Sequence, residues 1–125
     1  MAYAKTVTRT KVSDSNVDFV YDITETDSTS GGDEFTIDLT VTTGRILRYK
    51  VFASAGTVDP VVGVVTSASN NDIVLENGTA AISIDLEPSP VTFYSSGKTL
   101  FINNKASTGG LTIKTRIFIR ETWGL

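Results

Sequence analysis

The chain has 125 residues, 14 acidic and 11 basic side chains, a net charge of −3, and neither cysteine nor histidine. A single domain of this size buries a core without staples. Without cysteine there are no disulfides or thiolate metal sites, and without histidine the usual base near neutral pH and the commonest metal ligand are missing. The small acidic excess argues against broad nucleic-acid binding, and the longest apolar stretch, Val61 to Val65, is far too short to span a bilayer.

Composition points to β structure, because Val, Ile and Thr are abundant and the ordinary helix formers are scarce. The opening "MAYAKTVTRTKV" has no apolar h-region, so no signal peptide is predicted; its Thr-rich alternation predicts a strand over Tyr3 to Val12. A second strand is predicted over Val17 to Thr24, with Val17, Phe19, Tyr21 and Ile23 on one face and Asp18, Asp22 and Thr24, with Val20, on the other. After the polar loop "ETDSTSGGD", Glu34 to Thr43 alternates most clearly, with Phe35, Ile37, Leu39 and Val41 inward. That pattern is the signature of an antiparallel strand with one buried face.

"TTGR" then leads into a strand over Arg45 to Ser54, and Val61 to Ser67 reads as a short, deeply buried strand. In "DIVLENGTAAISID", Asn77-Gly78 lies between two strand-like runs, which predicts a type I′ hairpin with Ile73 facing Ile82 and Leu75 facing Ala80. Strands over Val91 to Ser96 and Lys98 to Asn103 follow through "SSGK". The last strand, "LTIKTRIFIRETWGL", puts Leu111, Ile113, Ile117 and Ile119 inward and Lys114, Arg116, Phe118 and Arg120 outward, with Trp123 returning to the inward parity. About nine short strands joined by turn residues predict an all-β, antiparallel two-sheet sandwich, jelly-roll-like or Ig-like, as one domain over residues 1–125.

The chemistry-bearing patterns are sparse. There is no Gly-x-Ser-x-Gly elbow, no Ser-x-x-Lys and no phosphate loop, so the chain reads as non-enzymatic, with no cofactor. Asp18 and Asp22 share one face of a strand, and Asp38 can face them across strands, as a glycosidase-type pair would; the plainer reading has them pairing across strands with the bases around Arg45, Arg48, Lys50, Lys114, Arg116 and Arg120. Asp27 to Glu34 is dense in oxygen ligands suited to calcium but lacks EF-hand spacing, and a flexible hairpin loop is the plainer reading. Asn77 to Thr79 matches a glycosylation sequon, but the tight turn explains the residues better. Tyr49, Tyr94 and Trp123 are the aromatics that could stack on a sugar.

The stretches "MAYAKTVTRTKV", "VTFYSSGKTLFINNKASTGG" and "LTIKTRIFIRETWGL" resemble those of small virion structural proteins of tailed bacteriophages, in particular head decoration (cement) proteins. The resemblance covers the whole chain in length and texture. It implies a β-rich module on the capsid surface of a virion, assembled in the host cytoplasm. It implies binding to the lattice of the major capsid protein as a symmetric homo-oligomer, a trimer being favoured, without catalysis, nucleic acid or membrane. A tail or head–tail accessory component (terminator or adaptor) and a carbohydrate-binding sandwich are the rival readings. Edge strands template pairing, and aromatics and Arg dominate interface hot spots, so Tyr3, Arg116, Phe118, Arg120 and Trp123 are the interface candidates. The first and last strands are expected to offer the pairing edges, and a neighbouring subunit is expected to cover Phe118.

Overall fold

The computed structural model describes residues 2–67, 70–87 and 91–122, all strand, bridge, turn or loop. Among these residues ten strands form: β1 (Ala4–Lys11), β2 (Asp18–Thr26), β3 (Glu34–Asp38), β4 (Thr43–Ala53), β5 (Val61–Ser67), β6 (Asn70–Glu76), β7 (Ser83–Leu86), β8 (Val91–Tyr94), β9 (Thr99–Asn103) and β10 (Ile113–Thr122). One sheet runs β1-β2-β10-β4-β7, with β8 pairing the start of β4; the other runs β3-β9-β5-β6, and every pairing is antiparallel.

The pairings nest. β5 meets β6, β4 meets β7, β3 meets β9 and β2 meets β10, as though one long hairpin had been rolled up. This is the double Greek-key order of a jelly roll, which decides between the two sandwiches that the strand pattern allows. β1 is added outside this frame, on the free edge of β2.

Alternation drives the two sheets together. β2 buries Phe19, Tyr21 and Ile23; β3 and the segment after it bury Phe35, Ile37, Leu39 and Val41; β10 buries Ile113, Ile117 and Ile119. All of these but Val41 meet Ile46, Val51, Val62, Leu100 and Ile102 in one shared core. Gly63 leaves no room for a side chain, since a Cβ there would lie 2.3 Å from the Phe101 ring and 2.5 Å from the Asp72 carbonyl oxygen.

Three expectations change. The hairpin at Asn77-Gly78 does not form: β6 pairs with β5, and β7 pairs with β4 in the other sheet. Gly78 has φ of 80° while Asn77 is not left-handed, so the turn lacks the two positive φ angles of type I′. Instead the Asn77 side-chain amide donates to the Thr79 carbonyl and the Gly78 N–H to Asp59 Oδ1 (2.9 Å), carrying the chain across the sandwich. Ile73 and Ile82, expected to face each other inside, are each about half exposed. The last strand is no edge, because β10 lies between β2 and β4 and pairs with both. Tyr49, proposed as a sugar platform, is wholly buried.

Candidate functional site

The outward rows of the six-stranded sheet form an ordered grid. Because β10 pairs with β2 on one side and β4 on the other, its outward residues each gain a neighbour on both flanks. Arg120 lies between Asp18 and Arg45, Phe118 between Val20 and Arg48, Arg116 between Asp22 and Lys50, and Lys114 between Thr24 and Phe52. A β-bulge between Phe118 and Ile119 lets β4 turn both Leu47 and Arg48 toward that side.

The expected ion pairs form across the β2–β10 seam. Arg116 Nε donates to Asp22 Oδ1 (2.7 Å) and its Nη2 to Asp22 Oδ2 (3.3 Å). Arg120 donates likewise to Asp18, at 2.7 and 3.1 Å. The carboxylate partners raise both guanidinium pKa values. Asp38, the third acid expected in these pairs, stands on β3 in the other sheet. Arg48 instead grips Asp85 of β7 at 2.9 and 2.6 Å and reaches Glu87 at 3.3 Å. That bidentate hydrogen bond holds the Asp85 carboxyl below its ordinary range.

Arg45, Arg48, Lys50, Lys114, Arg116 and Arg120 stand on this face against Asp18, Asp22, Asp85 and Glu87. The face is therefore locally positive in a chain whose net charge is −3. Two phenylalanines interrupt it: Phe52 is 53% exposed, and Phe118 is partly covered by its neighbours. Beside Phe52 a shallow open depression of about 460 Å³ is lined by Lys50, Lys114, Arg116, Asp22, Asp85 and Ser83. Paired Arg and part-exposed aromatics on a stiff sheet are the chemistry of interface cores.

The predicted interface residues do not all gather here. Arg116, Phe118 and Arg120 share the grid. Tyr3 belongs to the opposite face, where its hydroxyl donates to the buried Glu25 (2.8 Å). Trp123 lies outside the described residues. Tyr94, on β8, is 65% exposed.

The sequence reading overlooked two buried carboxylates, although both follow the inward parity of their strands. Glu25 accepts from Tyr3 Oη and from Asn104 Nδ2 (2.8 Å); Asn104 also donates to Thr115 Oγ1 (3.0 Å) and accepts from Tyr49 Oη (2.5 Å). Burial pushes the Glu25 carboxyl above its ordinary range, opposed by the bonds from Asn104 and Tyr3. Burial likewise raises the Tyr3, Tyr21 and Tyr49 hydroxyls. Glu121 takes Arg9 (2.8 Å), Tyr21 Oη (3.0 Å) and the Thr40 N–H (2.8 Å).

No two of these carboxylates form a glycosidase pair. Glu25 lies opposite Ile113, eight residues along β10 from Glu121, or about 26 Å along the strand. Asp18 and Asp22 are four residues apart, about 13 Å, against the roughly 5–9.5 Å that two-carboxylate hydrolysis needs. In the Asp27–Glu34 loop, Asp33 Oδ2 accepts the Thr29 N–H (2.8 Å), and Gly32, at φ 96°, lies so close to the Lys105 backbone that a Cβ would meet it at 2.6 Å. Among the described residues, no three acidic side chains converge as metal ligands.

No protein-family model matches this chain, and no curated protein matches it. Among solved structures, it is similar to the N-terminal cellulose-binding domain of Cellulomonas fimi β-1,4-glucanase C, at 15% identity and a TM-score of 0.44, over 98% of this chain and 90% of that one. It is also similar to a chain of the virus-like particle of extra small virus from the prawn Macrobrachium rosenbergii, at 11% identity and a TM-score of 0.34, over 99% of this chain and 82% of the other. A third likeness is to VP2 of the infectious bursal disease virus subviral particle, at 12% identity and a TM-score of 0.22, over 96% of this chain and 41% of that chain. Likenesses this loose bear on neither family nor function.

Proposed function

We propose that this protein is a non-enzymatic structural component of a virus particle, decorating the shell of a tailed phage as a symmetric oligomer whose subunits meet through the outer face of the six-stranded sheet. The observation that carries the reading is that face: Phe118 and Phe52 set among guanidiniums already pinned by carboxylates. Pinned Arg side chains lose little further rotamer freedom on docking, so the face is pre-organised for a flat partner. The jelly roll lends a fold-level analogy, since viral capsid domains use it, but so do lectins, and fold alone does not fix function. The texture of the two terminal stretches and of residues 91–110 points the same way.

The test is co-sedimentation of purified protein with undecorated capsids, alongside its mass in solution. A defined oligomer, with a trimer favoured, that pellets with the particles supports the reading. A monomer at high concentration that stays in the supernatant defeats it. Ring-shaped oligomers in negative stain would move the protein to the tail or the head–tail junction.

A carbohydrate-binding sandwich is the second reading, favoured by the exposure of Tyr94 at 65%. Glycan-array binding that is lost in Tyr94→Ala with the fold intact would support it, and a flat array would remove it.

A further inference from the structure

β1 is an eight-residue edge strand whose every residue is exposed, in unbroken register with β2 from Ala4↔Thr26 to Lys11↔Phe19. Edges of this length are ordinarily blunted by proline, by a bulge, by a covering element or by charges laid along the edge. β1 contains no proline, its ladder has no bulge, and among the described residues nothing pairs with its outer side. Two of its three charged side chains are drawn onto the sandwich instead. The Arg9 guanidinium lies 3.6 Å from the Phe19 ring centroid and bonds Glu121, while Lys5 Nζ reaches the Thr36 carbonyl (3.3 Å) and lies over Phe35.

The phase of the ladder identifies which backbone groups are open. The Val12 N–H donates to the Asp18 carbonyl (2.9 Å), and Val12 is the residue opposite Asp18 when the register is continued by one. Even-numbered residues of β1 therefore bond β2, and Lys5, Val7, Arg9 and Lys11 turn their N–H and C=O groups outward.

Charge selects the occupant. All three charged residues of β1 are cations, and Lys5 and Lys11 are in no ion pair among the described residues. A second copy of β1 added antiparallel can match outward groups over seven residues in two registers. One places Lys5 against the partner's Arg9, whose charge Glu121 already takes up, so neither lysine gains an acid; the other places Lys5 against the partner's Lys11, and like charges directly opposite are unfavourable. We infer that the β1 edge captures, by strand addition, an extended segment of a different protein that carries carboxylates opposite Lys5 and Lys11, with β-branched residues between them. This goes beyond docking through the grid face, and neither surface requires the other.

The probe is a capped peptide, Glu-Thr-Val-Thr-Val-Thr-Glu, with Lys-Thr-Val-Thr-Val-Thr-Lys as its control. Binding is read by amide shifts and by hydrogen-exchange protection of Lys5, Val7, Arg9 and Lys11. The acidic peptide should bind at least tenfold more tightly than the basic one and protect those four amides. Val7→Pro removes one outward N–H and leaves the β2 ladder intact, so it should weaken binding at least tenfold without changing the circular dichroism spectrum. Equal binding of both peptides, no binding of either, or unaltered binding to Val7→Pro would overturn the inference. So would self-association of the unliganded protein that Val7→Pro abolishes, because the edge would then belong to a second copy. Phe118→Asp should leave peptide binding unchanged, so failure at one surface is distinguishable from failure at the other.

Discussion

Replacing Asn104 with Ala removes the hub of the inner polar network. Its side chain serves three groups: it accepts the Tyr49 hydroxyl and donates to Glu25 and Thr115. Asn104, Glu25 and Tyr49 are each at most 1% exposed, so water does not replace what is lost. Orphaned buried groups cost about 1–3 kcal/mol each, with more for a carboxylate, so Asn104→Ala should cost about 3–6 kcal/mol. That is a large part of the roughly 5–15 kcal/mol that holds such a domain together. The melting temperature should fall by about 10–20 °C.

Urea unfolding monitored by circular dichroism at pH 7 provides the measurement. Glu25→Gln is the companion variant, because it keeps an acceptor for Asn104 while removing the charge. The folded value of Glu25 is raised, so its protonated form is the one folding favours. The resulting stability is fully present below the unfolded value near 4.5 and is lost as pH rises through the folded value. Glu25→Gln should therefore match or exceed the parent at pH 7, with the gap closing as pH falls toward 4.5. A cost under about 1 kcal/mol for Asn104→Ala would refute the reasoning, given the penalty for unpaired buried groups. So would a Glu25→Gln variant as unstable as Glu25→Ala at pH 7.

Other outcomes follow from local geometry. Gly63→Ala forces a methyl against the Phe101 ring and a backbone carbonyl, and overpacking of this kind should cost about 1–3 kcal/mol by urea midpoint. Arg9→Met leaves Glu121, 2% exposed, without its cation, and should cost about 2 kcal/mol with little dependence on salt. Arg116→Met, in an exposed pair, should leave the unfolding midpoint unchanged within error.

The inward rows were legible because period-two alternation needs only one buried face. Phe19, Tyr21, Ile23, Phe35, Ile37, Leu39, Val41 and the β10 isoleucines all lie where the pattern puts them. The ion pairs of Asp18 and Asp22 were legible as charges sharing outward parity, although their partners sit about 100 residues away in the chain.

Pairing between distant strands was not legible. A jelly roll assigns β6 and β7 to different sheets, so the Asn-Gly signal, read locally as a hairpin, was overruled by the edges of β4 and β5. The same nesting put β10 at the centre of its sheet, where two flanking strands give Phe118 more cover than an edge would. Glu25 and Glu121 were missed because carboxylates on an inward row look like interruptions until their partners are seen. Those partners, Tyr3, Asn104, Arg9 and Thr40, come from other strands and loops.

The most direct test of the docking face is sedimentation velocity of the parent protein and of Phe118→Asp, each at low and high concentration. Phe118 is half-buried between Val20 and Arg48 on the outward row, away from the shared core, so an aspartate there spares the fold. The parent should sediment as a defined oligomer, and Phe118→Asp as a folded monomer with an unchanged circular dichroism spectrum. An oligomer that survives Phe118→Asp intact would contradict the assignment of this face.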